Sequence, residues 1–244
     1  MPDYGRLTLD QLPYTLPAVS PLYPPPPWPL PGARILKLVF ETDKEVVLRW
    51  LPPALSRSSP PYAIITVAYY PESPVGPFSL ATQYIGCRAR FFVRGFALQA
   101  IVDSDRAMAA LREVWGIPCK FGRVSLTVGP RTVAARVACG PNVLARLRMT
   151  RGERMDAGLT RFDPIISVRL TPGIEAGKRH ALVEMVQIDP GYEVHEAYRG
   201  KGEVAYPSAS EGEPWHLLPS LNVISATYAV CDTDLPLARF VMPY

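Results

Sequence analysis

The chain has 244 residues, 48% of them hydrophobic and 20% charged, with a formal net charge of +4. That length buries one sizeable core, and the composition is that of an ordinary globular domain. The mild charge, with no run of Lys or Arg, argues against a nucleic-acid face, and no apolar run approaches the roughly 20 residues of a membrane span.

Cys87, Cys119, Cys139 and Cys231 have neither CxxC spacing nor clustered histidines, which argues against a zinc site or a redox motif. Reduced, buried thiols are the expectation, in a cytoplasmic protein without a secretory signal. No metal or cofactor is expected, because no glycine-rich phosphate loop or metal-ligand constellation is present.

Ten of the 28 prolines fall within the first 31 residues. Proline fixes φ and removes a donor, so residues 1–33 are expected to form an extended arm, neither helix nor central strand. The arm either packs on its own fold, with Tyr23 and Trp28 as anchors, or serves as a polyproline ligand. Residues 34–244 are expected to form one domain.

Ile35-Leu36-Lys37-Leu38-Val39-Phe40 then reads as a strand. Thr42-Asp43-Lys44-Glu45 reads as a capping box, in which the Thr42 hydroxyl caps a helix that stops at Pro52-Pro53. Tyr62 to Tyr70 is β-branched and aromatic, hence a strand. Further strands are expected near residues 83–93, 96–102, 124–128, 132–138, 165–170, 181–188, 220–230 and 237–242. One other helix is supported, from Asp105 to Trp115, with Ser104 as its cap and Gly116 as its left-handed terminator. Many strands and few helices indicate an α+β, mainly antiparallel β domain.

Arg112-Glu113, followed by Trp115-Gly116-Ile117-Pro118-Cys119-Lys120-Phe121-Gly122, resembles the active-site segment of the acetoacetate decarboxylase superfamily. Val102-Asp103-Ser104-Asp105 and Val194-His195-Glu196-Ala197-Tyr198 resemble two further family signatures, in the right order. The resemblance implies a β-cone or barrel with peripheral helices, an apolar pocket and a homo-oligomer. It also implies that Cys119 stands where the family carries its Schiff-base lysine, with Lys120 as the cationic neighbour. Thr66 and Leu80 stand where the family has glutamates, and Arg34 lies one residue from its substrate-orienting arginine.

A Schiff-base decarboxylase needs a neutral amine, against an unperturbed lysine pKa of about 10.4. A thiol addition product offers no comparable electron sink, so Cys119 does not replace that amine. Cys119 is either a nucleophile favoured by Lys120 or a small buried pocket residue. Lys120 is a general acid, a clamp for an enolate, a substitute amine or a solvated charge. Lys120, Cys119 and Arg34 are therefore the catalytic candidates, and Thr66, Leu80, Gln83, Gln99 and Ile117 the substrate-lining ones. His195-Glu196 is a weaker acid–base pair, since adjacent strand residues face opposite ways. The expected substrate is a small carbonyl compound, a β-keto acid or polyketide-like molecule, processed through an enolate. The alternatives are Schiff-base decarboxylation through Lys120 and plain binding of a hydrophobic ligand.

Overall fold

The computed structural model describes residues 2–160 and 162–244. It begins with β1 (Trp28–Glu41), α1 (Lys44–Trp50), β2 (Ser56–Arg57), β3 (Tyr62–Tyr70), β4 (Phe78–Ala89), β5 (Phe92–Val102), α2 (Asp105–Glu113) and β6 (Cys119–Phe121). There follow β7 (Arg123–Val128), β8 (Thr132–Cys139), β9 (Asn142–Arg154), β10 (Ile165–Pro172), β11 (His180–Ile188), β12 (Tyr192–Ala205), β13 (Asn222–Leu235) and β14 (Phe240–Pro243). All belong to one sheet in the order β14-β11-β10-β5-β4-β3-β1-β13-β12-β9-β8-β7, with β2 added on β4 and β6 on β5. The pairings are antiparallel except where β10 and β6 run parallel to β5. The sheet curls so that β7 touches β3, β4 and β5, but among the described residues β14 and β7 are its two edges and do not pair to close it.

Curling buries the central strands on both faces. In β4, Phe78 to Cys87 are buried without a break, as expected for a strand with no solvated side. Alternation then sorts the side chains. Leu36, Leu38 and Phe40 of β1 join Ile65, Val67, Ile85, Val133, Val137, Leu147 and Met149 in the main core. The opposite parity serves smaller clusters beneath α2 and the 162–165 segment.

The N-terminal arm supplies part of the second core. Trp28 and Trp115 meet edge to face with ring centroids 5.2 Å apart, and both are fully buried. Each indole N–H finds a backbone carbonyl, Trp28 on Pro24 at 2.9 Å and Trp115 on Pro236 at 2.7 Å. Such pairing of a large apolar ring with a satisfied polar edge suits a buried Trp.

Four local expectations need correction. β1 starts at Trp28, inside the proline tract, not at Arg34. Pro29 and Pro31 are tolerated because this stretch pairs with β13 alone; the ladder with β3 begins at Arg34. A bulge between Leu30 and Ala33 takes up an extra residue, with Gly32 at φ +66 and its N–H donated to Asp232 Oδ1 at 2.8 Å. Helix α1 is capped by Asp43, which accepts from Val46 N at 2.9 Å, while the Thr42 hydroxyl is buried without a hydrogen bond. The β4–β5 hairpin turns at Arg90, a non-glycine residue at φ +55 inside the stretch expected to be one strand, and β4 starts five residues earlier than its pattern suggests. β9 and β12, both absent from the expected strand ranges, pair with each other, β9 also with β8 and β12 with β13.

Helix α2 runs as expected: Ser104 Oγ accepts from Ala107 N at 3.3 Å, and Gly116 adopts φ +66. A Cβ at Gly116 would stand 2.6 Å from the Arg169 backbone nitrogen, so helix end and sheet meet there with no room to spare. Trp115→Ala is expected to cost about 3–5 kcal/mol, the range for deleting a buried aromatic. Urea denaturation monitored by circular dichroism measures this as a lowered midpoint.

Candidate active site

On the face of β1, β3 and β4 opposite the main core lies a cavity of about 60 Å³. Ile35 and Lys37 of β1, Ile64, Thr66 and Ala68 of β3, and Leu80 and Tyr84 of β4 form its floor. Tyr70, Ile117, Phe162, Asp163, Tyr192 and Leu235 are among the residues that complete the wall. Register explains the floor. Lys37 lies opposite Thr66, Thr66 opposite Thr82, Thr82 opposite Ala100, and Ala100 opposite Cys119. Directly paired residues project to the same side of a sheet. Lys37 and Cys119 are thus the two ends of one row crossing five strands.

Lys37 is half-buried. Its Nζ lies 5.6 Å from the centroid of the Phe162 ring, which stacks in turn on Tyr192 at 4.1 Å and an interplanar angle of 18°. Loss of hydration lowers the Lys37 pKa below the usual lysine value, and the Asp163 carboxylate opposes that shift. These are the two competing influences expected for an amine moved into an apolar wall beside one acid.

The phenols respond in the opposite direction. Burial raises the pKa values of Tyr70, Tyr84 and Tyr192, so all three remain protonated donors at neutral pH. The Thr82 and Thr66 hydroxyls near the Tyr84 oxygen partly offset this. Thr82 Oγ1 itself is fully buried and makes no hydrogen bond of normal geometry, so its influence on Tyr84 is that of a longer contact. The site therefore offers one basic nitrogen among the described lining residues, the Asp163 and Asp234 carboxylates, several hydroxyl donors and a largely apolar floor.

Of the residues singled out from sequence, Thr66, Leu80 and Ile117 line the cavity. Gln83 and Gln99 do not: they have the parity of the main core. There Gln99 Nε2 donates to Gln83 Oε1 at 2.6 Å, and Gln83 Nε2 donates to the Trp215 carbonyl at 3.1 Å. This buried amide pair ties two strands to the turn at Trp215. Arg34 is exposed, on the opposite face from Ile35, with its guanidinium 6.0 Å from the Tyr69 ring.

Lys120 is also outside the cavity, because its parity is opposite to that of Cys119. Its half-exposed side chain donates to the Gly212 carbonyl and meets Glu213 at 3.2 Å. Cys119 lies on the cavity side of the sheet but is 1% exposed, packed in the α2 cluster with Leu111 and Ile117. Burial pushes its thiol up to about 12, against a small opposing influence of Arg112. A thiol so protonated is inert as a nucleophile at neutral pH. His195 pairs with Asp232 at 3.1 Å on the surface, and Glu196 accepts from the Tyr198 hydroxyl instead of forming an acid–base pair with it.

Sequence reasoning overlooked Lys37. The available signal was a single charge in the run Ile35-Leu36-Lys37-Leu38-Val39-Phe40, apolar at every other position and so suited to a strand buried on both faces. Asp163 and the tyrosines come together only in three dimensions.

The thiol environments give a direct check. Cys87, Cys119 and Cys231 are buried, whereas Cys139 is only partly so. With Ellman's reagent the native chain is expected to release one fast equivalent near pH 8, lost in Cys139→Ser, with the other three appearing only on denaturation.

A family model described as acetoacetate decarboxylase (ADC) matches residues 11–244. An acetoacetate decarboxylase of Chromobacterium violaceum is 26% identical over 240 residues, covering 95% of each chain. Decarboxylase DEC1 of Cochliobolus heterostrophus is 24% identical over 231 residues, covering 85% of this chain and 87% of its own. Among solved structures, acetoacetate decarboxylase from Legionella pneumophila superposes with a TM-score of 0.87 at 19% identity, covering 100% of this chain and 99% of that one. The enduracididine biosynthesis enzyme MppR, complexed with pyruvate, superposes with a TM-score of 0.78 at 17% identity, covering 94% and 97%. With sequence similarity and fold agreeing over nearly its whole length, the chain belongs to the acetoacetate decarboxylase family.

Proposed function

We propose that this protein is a lyase acting on a small carbonyl acid of the β-keto class, held in the cavity between β1, β3, β4 and the 162–163 segment. The observation that carries this is the placement of Lys37, the basic side chain among the described lining residues, in a wall of apolar side chains, phenols and hydroxyls with the Asp163 and Asp234 carboxylates. Decarboxylation of a 3-oxo acid leaves an electron pair on the carbon next to the carbonyl. A cationic or hydrogen-bonding nitrogen at that carbonyl, in a site shielded from water, lowers the energy of the resulting enolate. Family relatives named as decarboxylases support the reaction class, and the pyruvate complex of MppR supports an oxo acid as ligand.

Size narrows the substrate. A water needs roughly 10–15 Å³ measured in the same way, so about 60 Å³ holds some four water-sized groups. Acetoacetate, with its four carbons and three oxygens, already exceeds that room slightly, so the smallest 3-oxo acids are favoured and longer acids or a polyketide chain fit only if the walls move. The same enolate serves isomerisation or cyclisation, the tailoring chemistry that a biosynthetic enzyme of this fold would perform. In this reading Cys119 stands at the family's nucleophile position and contributes volume, not chemistry.

Tyr84 supplies the proton that returns to the enolate carbon, since its phenol stays protonated and faces Thr66 and Thr82. Tyr84→Phe keeps the ring and removes the donor. It is expected to lower kcat by about a hundredfold, the low end for a general acid, with Tm unchanged. The assay is carbon dioxide release from acetoacetate and 3-oxohexanoate across pH 5 to 9. Binding of these acids without any turnover would make the protein a carrier and overturn the proposal.

A further inference from the structure

We propose that the tip of the β4–β5 hairpin docks this protein on an anionic membrane surface, with Phe91 and Phe92 entering the headgroup layer among arginines that meet lipid phosphates. This docking is independent of what the cavity binds, since none of residues 88–94 lines it.

The segment Arg88-Ala89-Arg90-Phe91-Phe92-Val93-Arg94 interleaves guanidinium groups with apolar side chains. Arg90 and Phe91 form the two-residue turn between β4 and β5. In the ladder, Ala89 lies opposite Phe92 and Arg88 opposite Val93. Directly opposed residues share a side, and alternation then sends Phe92 and Val93 to opposite faces of the hairpin. Each has an arginine with it: Arg94 lies 5.3 Å from the centroid of the Phe92 ring, and Arg88 accompanies Val93. Phe91 is 88% exposed, Phe92 64% and Val93 37%. An exposed apolar patch of this kind, rimmed by charge, marks an interaction surface. The apolar surface continues along the same end of the sheet, where the exposed Ile224 of β13 shares a shallow hollow with Val93 and Arg88.

The arginines are held in place but not neutralised. Arg88 and Arg94 donate to the carbonyls of Phe91 and Val93, and Arg94 also to Gln187 Oε1. None of Arg88, Arg90 and Arg94 forms an ion pair among the described residues. Arg90 also holds φ +55, where a tight hairpin turn usually carries glycine. The chain thus keeps a guanidinium at the tip against the local backbone preference.

Uncompensated positive charge around two open rings complements a surface that is anionic outside and apolar beneath. Aromatic rings favour the depth of the headgroups, and arginine stems lie along apolar surface while their heads reach phosphate. The tip protrudes and presents no groove that would follow a nucleic-acid backbone. Two copies meeting tip to tip would bring their arginines together. A fluid headgroup layer accommodates a protruding tip, and attachment through one hairpin is shallow and reversible.

The test is co-sedimentation of the intact chain with sucrose-loaded vesicles of phosphatidylcholine, with and without about one third phosphatidylglycerol. Partitioning is expected to be about tenfold stronger on the anionic vesicles, and to fall about tenfold in salt on the order of 1 M, which screens the arginines. Phe91→Ser combined with Phe92→Ser should weaken partitioning on anionic vesicles about tenfold. Arg88→Gln combined with Arg90→Gln should weaken it by a similar factor. All four positions lie outside the cavity, so both double variants should keep the wild-type circular dichroism spectrum and turnover. Phe91→Ser alone, at the more exposed of the two rings, provides the comparison if the double serine variant fails to fold.

No sedimentation with either vesicle would overturn the proposal. Equal partitioning by the wild-type chain and the serine variants would do the same, since adsorption would then be electrostatic alone. A single-stranded oligonucleotide that displaces the chain from vesicles and binds it more tightly would reassign the tip to nucleic acid. Self-association seen by light scattering and lost with Phe91 and Phe92 would assign it instead to a contact between copies.

Discussion

A strand buried on both faces has no polar side to which a charge can be sent, so alternation alone decides what each residue meets. That constraint governs the centre of this molecule. β1, β3 and β4 divide their side chains between the main core and the cavity, residue by residue. Leu36 and Leu38 seal one side; Ile35 and Lys37 open on the other. Cavity lining and packing are thus carried by the same strands, which gives the cavity a floor held by the hydrogen-bond ladders of the sheet.

Electrostatics inside the cavity follows from the same burial. One loss of water moves the amine and the phenols in opposite directions, because it penalises the charged form of each. The amine becomes easier to deprotonate and the phenols harder. The outcome is an amine and protonated phenols that share one cavity with the Asp163 and Asp234 carboxylates. Asp163 opposes the first effect. Cys119, at the far end of the row, experiences the same desolvation with no comparable use for it.

Much of the architecture was legible in the sequence, since it depends on local signals. The β-branched and aromatic run from Tyr62 to Tyr70 matches β3 residue for residue, and Ser104 with Gly116 brackets α2. The floor residues Thr66 and Leu80, and Ile117 in the wall, were also legible, as positions in a motif pattern. What escaped was parity. Gln83 and Gln99 look like pocket residues because they are polar on apolar strands, yet they satisfy each other in the core. Lys120 follows the motif but, one residue past Cys119, faces solvent. Lys37 carries no motif at all; only the pairing of β1 with β3 places it beside Thr66. The early start of β1 was hidden for a related reason, because proline is read as forbidding a strand when only one of the two ladders needs its donor.

The bulge at Gly32 sets the phase of all this. Trp28 and Leu30, even-numbered, face the α2 cluster and the cavity; beyond the extra residue it is the odd-numbered Ala33, Ile35 and Lys37 that turn to that side. Gly32 and its bond to Asp232 therefore act as a clutch between the proline arm and the cavity floor. Without that single slipped tooth, either the tryptophan anchor or the lysine would engage the wrong side of the sheet. The chain's register at one bulge thus determines whether an amine or a leucine faces the cavity at that end of the floor.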